Sequence, residues 1–130
     1  MGSSPNRVLG TIFGAFFVAI GIWGFVLPDG GAILGIFGVN LLHNCAHLLI
    51  GLILAVAAIF GGVASARTVN TIVGAAYLVL GVAGLFLLGT PVNFLAINAP
   101  DNVLHFASSV VLLAVGLGAE RPKAKKPVTR

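Results

Sequence analysis

At 130 residues, 58% hydrophobic and only 8% charged, with a mean hydropathy of +1.12, the chain has the length of one domain and a composition that excludes a soluble globular protein. Its formal net charge of +4 comes from seven Lys and Arg against three acids, and no folded basic face is present to recruit nucleic acid. A single cysteine cannot close an internal disulfide.

The first apolar run, Val8 to Leu27, follows Arg7 and ends at Pro28-Asp29-Gly30. It is too long for the apolar core of a secretory signal and lacks a small-x-small cleavage site, so it is predicted to be a retained span. Gly10, Gly14, Gly21 and Gly24 offer small surfaces for close helix approach, which is how helices gain packing energy in lipid. Trp23 and Phe25 suit an interfacial anchor at its far end. The segment Gly30 to Val39 is apolar for a loop, with Ile33, Leu34, Ile36 and Phe37, and is predicted to tuck over the bundle as a lid because open backbone cannot sit in hydrocarbon.

The second span, Leu41 to Ala64, opens on the polar stretch Asn40-Leu41-Leu42-His43-Asn44-Cys45-Ala46-His47. The third, Val69 to Gly89, carries Gly74, Gly81 and Gly84 and a mid-span Tyr77, to which a packing role is assigned. A second apolar lid runs from Thr90 to Ile97, and the fourth span, Val103 to Ala119, borrows Ala99 to Asn102 as its first turn. Each span is about 17 to 24 residues, enough to cross ~30 Å of hydrocarbon as helix. The runs are continuous and not alternating, which excludes a barrel. The tail, 120–130, is basic with Pro122 and Pro127 and is predicted to be disordered near lipid headgroups.

Spans one and three match at a constant offset of sixty: Arg7, Thr11, Ile12, Gly14, Ala15, Gly21 and Gly24 correspond to Arg67, Thr71, Ile72, Gly74, Ala75, Gly81 and Gly84. Asn40, Asn44 and His47 match Asn98, Asn102 and His105 at an offset of fifty-eight. The chain therefore reads as a tandem duplication, repeat one 7–64 and repeat two 67–118, within a single membrane domain. A two-span unit returns to its starting side, so the copies share one orientation about an axis along the membrane normal. Arg7, Arg67, Arg121, Lys123, Lys125, Lys126 and Arg130 all fall on one side of such a topology, with Asp29 and Asp101 opposite, which places both termini in the cytoplasm.

On a helix, Asn40, His43, Asn44 and His47 fall in one stripe, at about 0°, 300°, 40° and 340°, while Cys45 points away. Asn98, Asp101, Asn102 and His105 form the matching stripe, continued by Gly51 and Ala58 on one helix and Ser109 and Gly116 on the other. The structural reading makes Asn40 and Asn98 N-caps, Asp101 a capping-box partner, and the remaining polar groups hydrogen-bonding partners across the pseudo-axis or to the lids. A second reading joins His43, His47, Asp101 and His105 in a zinc site of three nitrogens and one oxygen. Haem ligation by His47 and His105 is a third. A proton path lacks ionisable groups to continue it through the membrane, and catalysis by Cys45 lacks a histidine on its face.

The doubled Asn-x-x-His/Asp-Asn-x-x-His frame, the Asn-Arg-Val-Leu-Gly start and the glycines of spans one and three resemble a family of small actinobacterial membrane proteins catalogued as domain of unknown function four-three-eight-three, over about Asn6 to Gly118. The resemblance implies a four-span plasma-membrane protein and assigns no activity, cofactor or functional residue. The expectation is an all-α four-transmembrane-helix bundle of two parallel two-helix repeats. Its role is read as a non-enzymatic accessory or scaffold protein that contacts the lipid bilayer and packs with membrane partners or itself, without a cofactor. The alternative is a zinc- or haem-binding redox or sensor module at the extracytoplasmic mouth.

Overall fold

The computed structural model describes residues 3–28, 30–124 and 126–129. Asp29, Lys125 and Arg130, which enter the charge argument above, lie outside the described residues. Four helices carry the fold: α1 (Pro5–Phe25), α2 (Leu41–Phe60), α3 (Gly62–Leu87) and α4 (Ala99–Gly118). Each is long and apolar enough to cross a membrane. Between α1 and α2, β1 (Ala32–Ile33) pairs antiparallel with β2 (Phe37–Gly38), so the first lid is a miniature hairpin. Its turn uses left-handed backbone at Leu34 and Gly35.

The helix starts follow local chemistry. Ser4 caps α1 by accepting the Arg7 amide at 3.2 Å, and Pro5 occupies the first turn, where its missing N–H costs nothing. The reversal between α2 and α3 occurs at Gly61 and Gly62, the latter at φ +78°, earlier than the boundary predicted after Ala64. Arg67 consequently sits on α3 and not in a loop. Hydropathy could not mark this turn, because Val63 and Ala64 beyond it are as apolar as α2 itself; only glycine's tolerance of positive φ does.

The bundle is two tight helix pairs, α1 with α2 and α3 with α4, laid side by side. At the α1/α2 crossing Gly14 lies on the Ala55 backbone and Gly51 on the Val18 backbone; at the α3/α4 crossing Gly74 faces Leu113 and Gly81 faces Phe106. Along one diagonal α1 and α3 touch, whereas α2 and α4 nowhere come within 8 Å between Cα atoms among the described residues. That wider diagonal is filled by side chains. Phe17 and Tyr77 stack at 5.1 Å between ring centroids and, with Leu54, Val73 and Leu112, form the buried core.

The start of α1 and the residues just after α4 meet at the end of the bundle opposite the lids. Glu120 was expected to belong to a disordered tail; instead its carboxylate accepts from Ser4 Oγ (2.8 Å), Asn6 N (3.2 Å) and Asn6 Nδ2 (3.0 Å). Asn70 Nδ2 in turn donates to Asn6 O at 2.9 Å, tying α1 to α3. Arg7 crosses to the C-terminus of α2, donating to the carbonyls of Ala58 and Ile59, where a cation complements the helix dipole.

These bonds to the ionised carboxylate, from Ser4 first and then Asn6, hold the Glu120 carboxyl below its ordinary pKa of 4.5. A depressed folded-state pKa means that the tie is intact above the ordinary value and lost as pH falls through the lowered one. The Asn6 amide resonance should therefore titrate with a midpoint below 4.5, and this titration should vanish in Glu120→Gln. A midpoint at or above the ordinary value would show that the tie is absent in solution.

Candidate functional site

At the lid end, the first turns of α2 and α4 carry the two polar stripes. Asn40 Oδ1 accepts the His43 amide at 2.8 Å, and Asn98 Oδ1 accepts the Asp101 amide at 2.9 Å. Asp101 completes a capping box by accepting the Asn98 amide at 2.9 Å. The amide nitrogens of the two caps do a second job: Asn40 Nδ2 donates to Phe94 O and Asn98 Nδ2 to Ile36 O, each at 2.7 Å. Each helix pair therefore fastens the other pair's lid. Within the lids, Ile33, Val39 and Ile97 are buried.

Below the lids the stripes part into two roles. The sequence reading expects Asn44 and Asn102 to bond across the pseudo-axis or to the lids; instead both fold onto their own helix pair. Asn102 Nδ2 donates to Gly81 O at 3.0 Å and its side chain fills the space left by Gly84, while Asn44 occupies the corresponding space against Gly24. A glycine on the facing helix leaves a socket of amide size, and the nearest socket wins over a distant partner.

The histidines turn inward. His43, His47 and His105 are at most 3% exposed, and each offers a ring nitrogen such that the three nitrogens lie within 4.8 Å of one another. The His43 and His47 rings are 4.3 Å apart between centroids, and His43 reaches across to His105 at 5.8 Å. Aromatic faces hold them: Phe17 lies 5.5 Å from His47, and Tyr77 stacks on His105 at 5.3 Å. Asp101 is buried one turn before His105, but its carboxylate is committed to the capping box and it is outside the three-nitrogen group. Cys45 is exposed on the opposite side of α2.

The electrostatics of this cluster are unusual for a buried one. All six ring nitrogens of the three histidines, and the hydroxyl of Tyr77, are buried without a hydrogen-bond partner. The carbonyls of Leu95 and Gly38 approach His43 from the lids without reaching hydrogen-bond geometry. An unpaired buried polar group costs about 1–3 kcal/mol, so a fold that gathers several in one place carries a substantial penalty. Three imidazole nitrogens within 4.8 Å of one another suit a transition-metal ion, around which nitrogen ligands at ~2.0–2.1 Å would stand about 3.5 Å apart. A porphyrin fits less well, since Phe17 and Tyr77 occupy the space beside His47 and His105.

Tyr77 is the residue that sequence reasoning undervalued. At the offset of sixty it corresponds to Phe17, so the repeat itself shows a hydroxyl added where its copy has none. The cluster of Asn6, Asn70 and Glu120 at the other end had no such signal, because it joins three distant parts of the chain.

Fold and site together define a small bundle of four helices able to span a bilayer, with a buried histidine cluster under two interlocked lids. The chain belongs to the family described as Domain of unknown function (DUF4383), whose model matches residues 7–118. No curated protein and no solved structure matches it.

Proposed function

We propose that this protein is a multi-pass plasma-membrane protein that holds a transition-metal ion between α2 and α4 through His43, His47 and His105, as a non-enzymatic binding or sensor module. The observation that carries the reading is the convergence of three buried, unpartnered imidazoles on one point across the widest diagonal of the bundle. Imidazole sets of this kind suit zinc, copper, iron and nickel. A metal would bond one nitrogen of each ring, leaving the second N–H of each for outer partners, with the Leu95 and Gly38 carbonyls already beside His43. The three histidines are buried, and Phe17 and Tyr77 pack against His47 and His105, which supports a holding role over turnover.

The correspondence of Gly24 with Gly84 and Asn44 with Asn102 supports a duplicated two-helix unit, and the clustering of Arg7, Arg67 and Arg121 toward the terminal end supports cytoplasmic termini with the metal at the extracytoplasmic mouth. An accessory or scaffold role would use the exposed apolar faces, including Leu49, Val79 and Val110, and these are equally what contact with lipid tails requires.

Elemental analysis of the full chain, purified in detergent and loaded in turn with zinc, copper, nickel and iron, tests the reading. It expects about one ion of a preferred metal per chain, retained through gel filtration and lost when His43, His47 and His105 are all replaced by alanine. Retention of none of the four metals, or equal retention by the triple variant, would overturn it.

A further inference from the structure

We infer that the ion is monovalent copper, Cu(I), bound by the three imidazoles alone; the inference rests on the metal-site reading above. Two independent features of the cluster lead there. The first is charge. His43, His47 and His105 are neutral ligands when they coordinate, and the only acid among the described residues of the lid end, Asp101, is committed to the capping box of α4. The group lies inside a bundle able to span a bilayer, with Phe17 and Tyr77 as its walls, so a bound ion would lose most of its hydration. The Born cost of that loss grows as the square of the charge, so a dication faces about four times the penalty of a monocation.

The second feature is coordination number. Tetrahedral zinc completes a three-histidine set with a water, hydroxide or substrate in the fourth position, and divalent copper asks for a tetragonal set. The cluster presents three nitrogens lying within 4.8 Å of one another, and Asp101, the acid one turn away on α4, is outside the group because its carboxylate accepts the Asn98 amide. Cu(I), with a filled d shell, accepts trigonal coordination by three nitrogens and needs no fourth ligand. Cys45, the soft donor that would otherwise draw Cu(I), is exposed on the far side of α2 and plays no part.

The full chain in phosphatidylcholine nanodiscs should be titrated anaerobically with acetonitrile-stabilised Cu(I) against a chromophoric Cu(I) chelator, and separately with Zn(II) against a chromophoric zinc chelator. The expected result is one Cu(I) per chain, held at least 100-fold more tightly than Zn(II). X-ray absorption should show three nitrogen scatterers and no sulfur. His47→Gln, which keeps a polar side chain of similar size, should weaken Cu(I) binding at least 100-fold, and Cys45→Ala should leave it unchanged. Stoichiometric Zn(II) held as tightly as Cu(I), or sulfur in the copper shell, would overturn the monovalent assignment while leaving a metal site in place. Absence of binding by either ion, together with no retained nickel or iron, would remove both readings.

Discussion

Gly51→Leu is expected to destabilise the protein by about 3 kcal/mol or more, the upper part of the range for forcing extra volume into a packed interface. The reason is backbone contact. A Cβ at position 51 would stand 2.5 Å from Val18 N and 2.8 Å from Gly14 O, neither of which can rotate out of the way as a side-chain tip could. Relief requires α1 and α2 to separate over their whole crossing, which also pulls Gly14 off Ala55 and Gly21 off Leu48. In α4 the corresponding position is Ser109, fully buried with its hydroxyl turned back to Phe106 O at 2.8 Å, so the second helix pair already accommodates a Cβ there. Ile53→Leu, on the exposed face of α2, should change stability little. Unfolding in detergent titrated with dodecyl sulfate measures both. A Gly51→Leu protein as stable as the parent would mean that the α1/α2 seam is looser in the bilayer-like environment than its close contacts indicate.

That seam was legible in the sequence, and it is instructive which features were and which were not. Four spans follow from hydropathy alone, and the glycines of spans one and three advertise their packing role through spacing and through repetition. The polar stripes were legible for the same reason, since helical geometry places Asn40, His43, Asn44 and His47 together whatever the fold. What spacing cannot give is the partner across the bundle. The set of His43, His47, Asp101 and His105 requires the two stripes to face one another with all four side chains turned inward. Three of the four converge, while Asp101 is held by the nearest backbone donor, the Asn98 amide. The asparagines likewise obey their neighbours, filling sockets at Gly24 and Gly84. The turn at Gly61 and Gly62 escaped because apolar residues flank it on both sides.

Aligned at the offsets of sixty and fifty-eight, the two halves differ at positions that fall in the histidine cluster. His43 corresponds to Asp101, and Tyr77 to Phe17. In the first departure a third imidazole joins the two that correspond; in the second a hydroxyl-bearing ring replaces a hydrocarbon one against His105. Both changes add buried groups without hydrogen-bond partners. A structure maintained for stability alone would lose such groups, because substitution by apolar residues of similar volume removes the penalty.

This reasoning predicts opposite effects on stability and on metal. His47→Leu and His105→Leu each delete two buried nitrogens that have no hydrogen-bond partner and supply a hydrocarbon side chain of comparable volume beside Phe17 or Tyr77. In chelator-treated protein each substitution is expected to raise unfolding stability by about 1–2 kcal/mol, the cost of the unmade bonds less a small packing loss. With the preferred ion present at about 100 times its dissociation constant the parent should gain about 2.7 kcal/mol, and neither variant should gain anything. The same dodecyl sulfate titration, run with and without the ion, reads both signs in one experiment. Loss of stability by more than about 2 kcal/mol in the metal-free variants would show that the rings already hold bonds worth keeping. In that case ordered water bridging the imidazoles, and not an ion, would be what the cluster was built to hold.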